Sequence, residues 1–221
     1  MGLGLVRRFP RMGIMLHTIR EGLGHLLARL LYLPYLARYY LFHRHRRRLH
    51  VGCGQVRLPG WINADISPRA ELIVNIRWRL PFPANYLERV YSEHVLEHVA
   101  YESSVEFLRE TWRVLALGGV IRIAMPDLDD LVEGYQNDWR RFDWVNWPEH
   151  SFIKTRAQMI NIAFRWWGHQ HLYNREELER ALRDAGFSDI RFVEPGVSSH
   201  PDLRNLETRA DSRLVAEATK A

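Results

Sequence analysis

The sequence predicts an α/β chain whose mainly parallel sheet follows a basic helical extension. Three observations carry this expectation. From residue 48 onward, short apolar strand-like runs alternate with segments of helical periodicity. One of those runs ends in Gly52-Cys53-Gly54 and the next ends in Asp65, an arrangement suited to a ligand crevice at strand ends. The charge is also divided: residues 1–48 hold ten arginines and one acid, Glu21, whereas the rest of the chain is slightly acidic.

At 221 residues, one domain plus an extension is expected. An apolar content of 47% and a charged content of 26% are ordinary for a soluble globular chain. The single cysteine, Cys53, cannot form an internal disulfide, which fits a reducing, cytoplasmic setting. The N-terminus has basic residues but no apolar run behind them, so no secretory signal is expected. The longest unbroken apolar run, LLYLPYLA at 30–37, is far shorter than the roughly 20 residues a spanning helix needs.

In chain order, residues 14–33 place Leu16, Ile19, Leu23, Leu26, Leu27 and Leu30 on one helical face, and Pro34 should end or kink that helix. A second short helical piece runs into Arg44, Arg46, Arg47 and Arg48. Strands are expected at 48–52, 61–65, 72–75, 89–92, 120–125, 189–194 and 212–218. Helices are expected at 103–115, where Ser103 and Glu106 form a capping-box pattern, and at 174–187, capped by Asn174 and stopped by Gly186. The LGG at 117–119 reads as another helix stop. Residues 138–172, rich in Trp, Phe and His, read as an insertion that could form a lid. The links between the first three strands are too short for covering helices, although parallel sheets need both faces covered. The helix at 14–33 is therefore expected to supply the cover.

The stretch LHVGCGQVRLPGWINADIS (49–67) carries most of the chemistry. Glycines at a strand end let backbone approach a nucleotide, and a carboxylate at the next strand end can accept both ribose hydroxyls. In order along the chain follow LIVNIRWRLPF, RVYSEHVLEHV, LRETWRVLALGGVIRIAMPDL, HLYNREELERALRDAGF and SRLVAEATK. This series resembles a class I S-adenosylmethionine-dependent methyltransferase of the type 11 sort often found among surface-polysaccharide genes. The resemblance covers about residues 48–220. It implies a Rossmann-like seven-stranded sheet with the last strand antiparallel, and S-adenosylmethionine as cofactor. It implies cofactor contacts from Val51, Gly52, Cys53, Gly54, Asp65, Ile66, Asn75, Ile76, Ser92, Glu93 and His94. The sequence departs from the family where Asn75 replaces the usual Asp near the adenine, and where His50 stands in place of an acid before the first glycine.

His94, Glu97 and His98 also spell H-x-x-E-H, a zinc-protease helix pattern. That pattern needs both histidines on one stable helix and a further ligand, and no clear helix covers 91–98. No metal ligand set is therefore assigned, and a metal-dependent hydrolase is the lesser alternative. Candidate general bases for a hydroxyl acceptor are His94, His98 and Asp127, with Asp127 equally suited to cap the following helix. His169 and His171 could touch the acceptor or pack beneath the lid. Residues 1–47 leave two roles open, covering the sheet or contacting an anionic membrane surface, while nothing points to nucleic acid. The expected activity is methyl transfer to a small-molecule or sugar hydroxyl. A non-catalytic partner subunit or cofactor sensor of the same fold is the rival reading.

Overall fold

The computed structural model describes residues 30–42 and 44–221. Seven strands form one sheet: β1 (Arg48–Val51), β2 (Ile62–Asp65), β3 (Leu72–Ile73), β4 (Leu87–Glu93), β5 (Leu115–Met125), β6 (Asp189–Phe192) and β7 (Leu214–Thr219). Their spatial order is β3-β2-β1-β4-β5-β7-β6. The pairs from β3 through β5 are parallel, and β7 runs antiparallel to both of its neighbours. Order reverses between β1 and β4, so the chain's ligand crevice is expected at their carboxyl ends.

Residues 30–42 are helical (α1). The helix runs through Pro34, so of the two expected outcomes, an end or a kink, the end does not occur. Most of the expected helix at 14–33 lies outside the described residues. Among the described residues, cover for the helix-free half of the sheet comes from α1, whose first turn, residues 30–33, is the end of that expected helix. Tyr39 is fully buried and meets Phe82 edge-on at 5.4 Å, and Tyr32 meets Trp78 at 5.8 Å. Tyr35 Oη donates to the Pro68 carbonyl and Tyr40 Oη to the Pro81 carbonyl. Helix α1 is thereby fixed to the helix-free links on either side of β3, through Pro68 before it and Trp78, Pro81 and Phe82 after it.

The remaining helices are α2 (Tyr101–Val114), α3 (Leu128–Gln136), α4 (Arg156–Arg165) and α5 (Arg175–Asp184). Helix α2 begins at Tyr101 after Ala100, without a side-chain cap, so the expected capping box at Ser103 does not form. The reason is local. A 3₁₀ turn at Leu96–His98 already delivers the chain into helix, and Ser104 Oγ donates back to the Leu96 carbonyl. Helix α2 stops at Val114, before the glycines, because Leu115 turns to extended backbone and enters β5. Asn174 does cap α5, accepting from the Glu177 amide, and Gly186 at φ +105° does end it.

Two apolar clusters matter for the site. The main one fills the sheet's helical face around Leu49, Val90, Phe107 and Leu108. A smaller one, built from Leu131, Phe142, Trp144, Met159 and Leu172, holds α3, α4 and the short turns between them together over the sheet's carboxyl end.

Candidate active site

The site begins where β1 runs out. Gly52 adopts φ +71°, and a Cβ there would fall 2.1 Å from Val95 Cγ2, so only glycine lets the loop pass the turn after β4. Gly54, at φ +51°, has nothing within 4 Å of a would-be Cβ and faces open space. Asp65, at the end of β2, accepts from the Gly54 amide through Oδ2 (2.9 Å) and from the Ser67 amide through Oδ1 (2.8 Å). Each carboxylate oxygen keeps a further lone pair for a diol. Arg57 ties the same loop down, donating to the Gly54 and Arg69 carbonyls.

The other residues of this neighbourhood are more deeply engaged. Val51 and Ile76 are buried in the main core. Ile66 is half-buried beside Asp65. Cys53 is buried, and that burial pushes its thiol up to about 11. Asn75 Oδ1 accepts from the Arg77 amide, shaping the turn after β3. His50 is buried with Nδ1 3.2 Å from Asn63 Oδ1, and burial lowers its pKa. Ser92 is fully buried at the β1–β4 junction.

Glu93, the last residue of β4, points the other way. Burial favours its neutral form, yet bonds from Ser212, Thr208 and Arg209 outweigh this and hold the carboxyl below its ordinary range. The donors are the Thr208 amide and hydroxyl, the Arg209 amide and the Ser212 hydroxyl, at 2.7–3.1 Å. Glu93 thus anchors the segment leading into β7. Fully buried Arg122, paired at 2.6 Å with both Glu207 and Glu217, fixes the start of that segment.

His94 follows in left-handed backbone, φ +52°. Its Nε2 lies 3.2 Å from Ser212 Oγ and its Nδ1 lies 3.2 Å from Glu97 Oε1. Burial, reinforced by Arg209, lowers its pKa to about 3, so the ring is neutral and a poor proton acceptor at pH 7. Glu97 is completely buried in the 3₁₀ turn, and burial pushes its carboxyl up to about 8. His98 is one-third exposed, with its ring 4.8 Å from that of His169. Leu96–His98 is a 3₁₀ turn, so the H-x-x-E-H residues do not share the α-helix that a zinc-protease pattern needs.

This turn walls a cavity of about 990 Å³, lined by His94, His98, Asp127, His169, Arg209 and Asp211 among others. Asp127 does both things expected of it: it caps α3 by accepting from the Asp129 amide and it faces the cavity. Burial raises its carboxyl above the usual range. His169 lines the cavity, whereas His171 turns away to pair with Glu177 at 3.0 Å. Trp144, Trp147 and Trp167 line the same cavity. The sequence marks Ser212 and Arg213 only as the start of the last strand and gives residues 208–211 no role. Residues 208–213 reach the site only by the tertiary contact with Glu93, more than a hundred residues away, and no local pattern marks them as part of it. Arg141, in the 138–172 insertion, also lines the cavity, paired with Asp130 and Glu133.

Residues 49–123 match the family model described as a methyltransferase domain. No curated protein matches the chain. Among solved structures, a SAM-dependent methyltransferase from Thermotoga maritima is similar at 16% identity, covering 98% of each chain with a TM-score of 0.50. One from Archaeoglobus fulgidus is similar at 16% identity over 87% of this chain and 94% of its own, with a TM-score of 0.48. The seven-stranded sheet is the class I methyltransferase fold. The domain match implies S-adenosylmethionine as cofactor. The crevice fits it: Gly54 opens onto free space, and Asp65 beside it keeps acceptor positions for a ribose diol.

Proposed function

We propose that this protein transfers a methyl group from S-adenosylmethionine to a hydroxyl of a small, sugar-like acceptor held in the 990 Å³ cavity. The observation that carries this reading is the turn after β4. Its Val95 side chain packs against Gly52 on the cofactor side, while His94 and His98 line the cavity on the other. A cofactor on the glycine loop and an acceptor in the cavity therefore meet across one turn of chain.

Bound S-adenosylmethionine supplies an electrophilic methyl on sulfonium. The protein's share is positioning, and effective concentration from orientation alone can lower a barrier by roughly 7–11 kcal/mol. Gly52 and Gly54 bring backbone close to the ligand, and Asp65 holds the ribose. The cavity's three tryptophans offer flat apolar faces, and its Asp and Arg side chains offer hydrogen bonds, a combination suited to a saccharide. His98 and Asp127 face this space and are the residues placed to accept the acceptor's proton. His94 instead keeps the turn in shape. Residues 138–172 act as the lid of this cavity.

For the extension we propose peripheral contact with an anionic membrane. Leu33 and Leu41 on α1 are more than two-thirds exposed, and arginines dominate residues 1–48. Among the described residues, no helix is long and apolar enough to cross a membrane.

The test is transfer of labelled methyl to a panel of mono- and oligosaccharides and other small hydroxyl acceptors. Label in a product, lost in Asp65→Ala and reduced in His98→Ala, supports the reading. Cofactor binding with no transfer to any acceptor would favour a partner subunit or sensor.

A further inference from the structure

We propose that Glu97, His98 and His169 form a binding site for one divalent transition-metal ion of the zinc type, set in the wall of the acceptor cavity. Their ligand atoms all lie within 4.8 Å of one another, and His98 and His169 face the cavity.

The proton inventory around Glu97 makes the case. Glu97 is fully buried and neither of its oxygens has a hydrogen-bond partner. A buried carboxylate needs a cation or a proton, because desolvation is otherwise uncompensated. The neighbouring rings cannot all supply one. His169 Nδ1 lies 2.7 Å from the Ala163 carbonyl, which can only accept, so Nδ1 carries the hydrogen and Nε2 keeps its lone pair. Ser212 gives its single hydroxyl proton to Glu93. His94 Nε2 must then be the donor to Ser212 Oγ, which leaves His94 Nδ1 bare at 3.2 Å from Glu97 Oε1. Lone pairs therefore converge on a carboxylate. One proton could satisfy a single oxygen–nitrogen pair, whereas a metal ion satisfies carboxylate and imidazoles together.

The ligands are also held in place. The Glu97 carbonyl accepts from the Gln170 and His171 amides, at 2.7 and 3.3 Å, and Gln170 Nε2 donates to the His98 carbonyl at 2.8 Å. These bonds clamp the segment carrying His169 onto the turn carrying Glu97 and His98. The Ala163 carbonyl on His169 Nδ1 is the outer contact that orients a ligating imidazole. Zinc–ligand bonds of about 2.0–2.2 Å set ligand atoms roughly 3.3 Å apart, so binding requires the side chains to close inward by under about 1 Å. Two imidazoles and one carboxylate select a borderline transition metal over magnesium or calcium. With three protein ligands, the remaining coordination position opens to the cavity. An acceptor hydroxyl could take that position, with Asp127 rather than the ligating His98 taking its proton, a step that rests on the methyl-transfer reading, whereas the metal site does not.

The test is calorimetry with Zn²⁺, and visible absorption with Co²⁺, on the full chain after chelator treatment. The variants are Glu97→Gln, His169→Ala and His98→Ala, with His45→Ala as a control outside the cluster. His98 is one-third exposed, so its variant is the one chosen to fold if burial makes Glu97→Gln unstable. We expect one micromolar-or-tighter equivalent with tetrahedral or five-coordinate Co²⁺ bands, weakened at least tenfold in His98→Ala and His169→Ala and unchanged in His45→Ala. Zinc and cobalt titrations indistinguishable among wild type, His98→Ala and His169→Ala would overturn the site. Calorimetry with S-adenosylmethionine on the same samples separates the two readings. Metal binding without cofactor binding leaves the site standing and removes methyl transfer.

Discussion

Glu93 gives a direct way to distinguish a loop anchor from a cofactor ligand. Glu93→Gln keeps the shape but removes the charge and turns one acceptor into a donor. Four donors now converge on the carboxylate: the Thr208 amide and hydroxyl, the Arg209 amide and the Ser212 hydroxyl. Hydrogen bonds to a charged group contribute about 1.5–3 kcal/mol each and neutral ones about 0.5–1.5, so the substitution should cost roughly 2–3 kcal/mol once rearrangement is allowed for. At about 2–4 °C per kcal/mol for a chain of this size, the melting temperature should fall by about 4–12 °C. Trypsin should also cut faster after Arg209 and Arg213, because the segment they sit in is released. Glu93 is depressed below its ordinary value of 4.5 in the folded state. Its contribution is therefore complete above about that pH and drains away as pH falls through the folded-state value, so wild type and variant should converge in acid. Differential scanning fluorimetry across pH 3–8, with S-adenosylmethionine calorimetry at pH 7.5, reads both effects. A variant that melts with wild type but binds the cofactor tenfold more weakly would refute the anchor role.

Three further outcomes follow from buried groups. Arg122→Ala leaves Glu207 and Glu217 buried without their cation and should cost about 3–5 kcal/mol in urea unfolding, whereas an Arg122/Glu207/Glu217 replacement by apolar residues should recover much of it. Cys53, with its thiol held up at about 11, should alkylate with iodoacetamide at pH 8 at least about 100-fold more slowly than a free cysteine, and a rate near the free thiol's would contradict its burial. Tyr39→Ala should lose about 3 kcal/mol and expose the neighbouring Phe82 to quenchers or hydrogen exchange, since α1 is the cover over that part of the sheet. An unchanged melting curve would mean α1 is not part of the folded domain.

Much of the sheet was legible because its signals are local. Strand ends marked by Gly52, Gly54 and Asp65 stand where the residue pattern put them, the antiparallel last strand stands where the family resemblance put it, and even the missing helices between β1 and β3 could be read from link length. Boundaries set by neighbours were not legible. β5 starts at Leu115, ahead of its apolar run, because its first residue pairs with Leu87 of β4. Ser103 lost its capping role to a 3₁₀ turn that only the burial of Leu96 and Glu97 explains. Pro34 did not stop α1, whose packing onto Phe82 and Trp78 outweighs local preference. The same division holds at the site. The glycine loop and Asp65 belong to contiguous sequence, whereas the partners of Glu93 and the proximity of Glu97 to His169 join segments about 70 to 120 residues apart. The H-x-x-E-H pattern was visible, but the approach of His169, oriented by the Ala163 carbonyl, was not, because no spacing rule connects them to it.

The central claim is that the Gly52–Asp65 crevice holds S-adenosylmethionine. Isothermal calorimetry of the purified full chain with S-adenosylmethionine and its demethylated product, comparing wild type with Asp65→Ala, measures it most directly. The account predicts one-to-one binding weakened at least tenfold in the variant, about 1.4 kcal/mol. Folded wild-type protein that binds neither compound, or a variant that binds both as tightly as wild type, would contradict it.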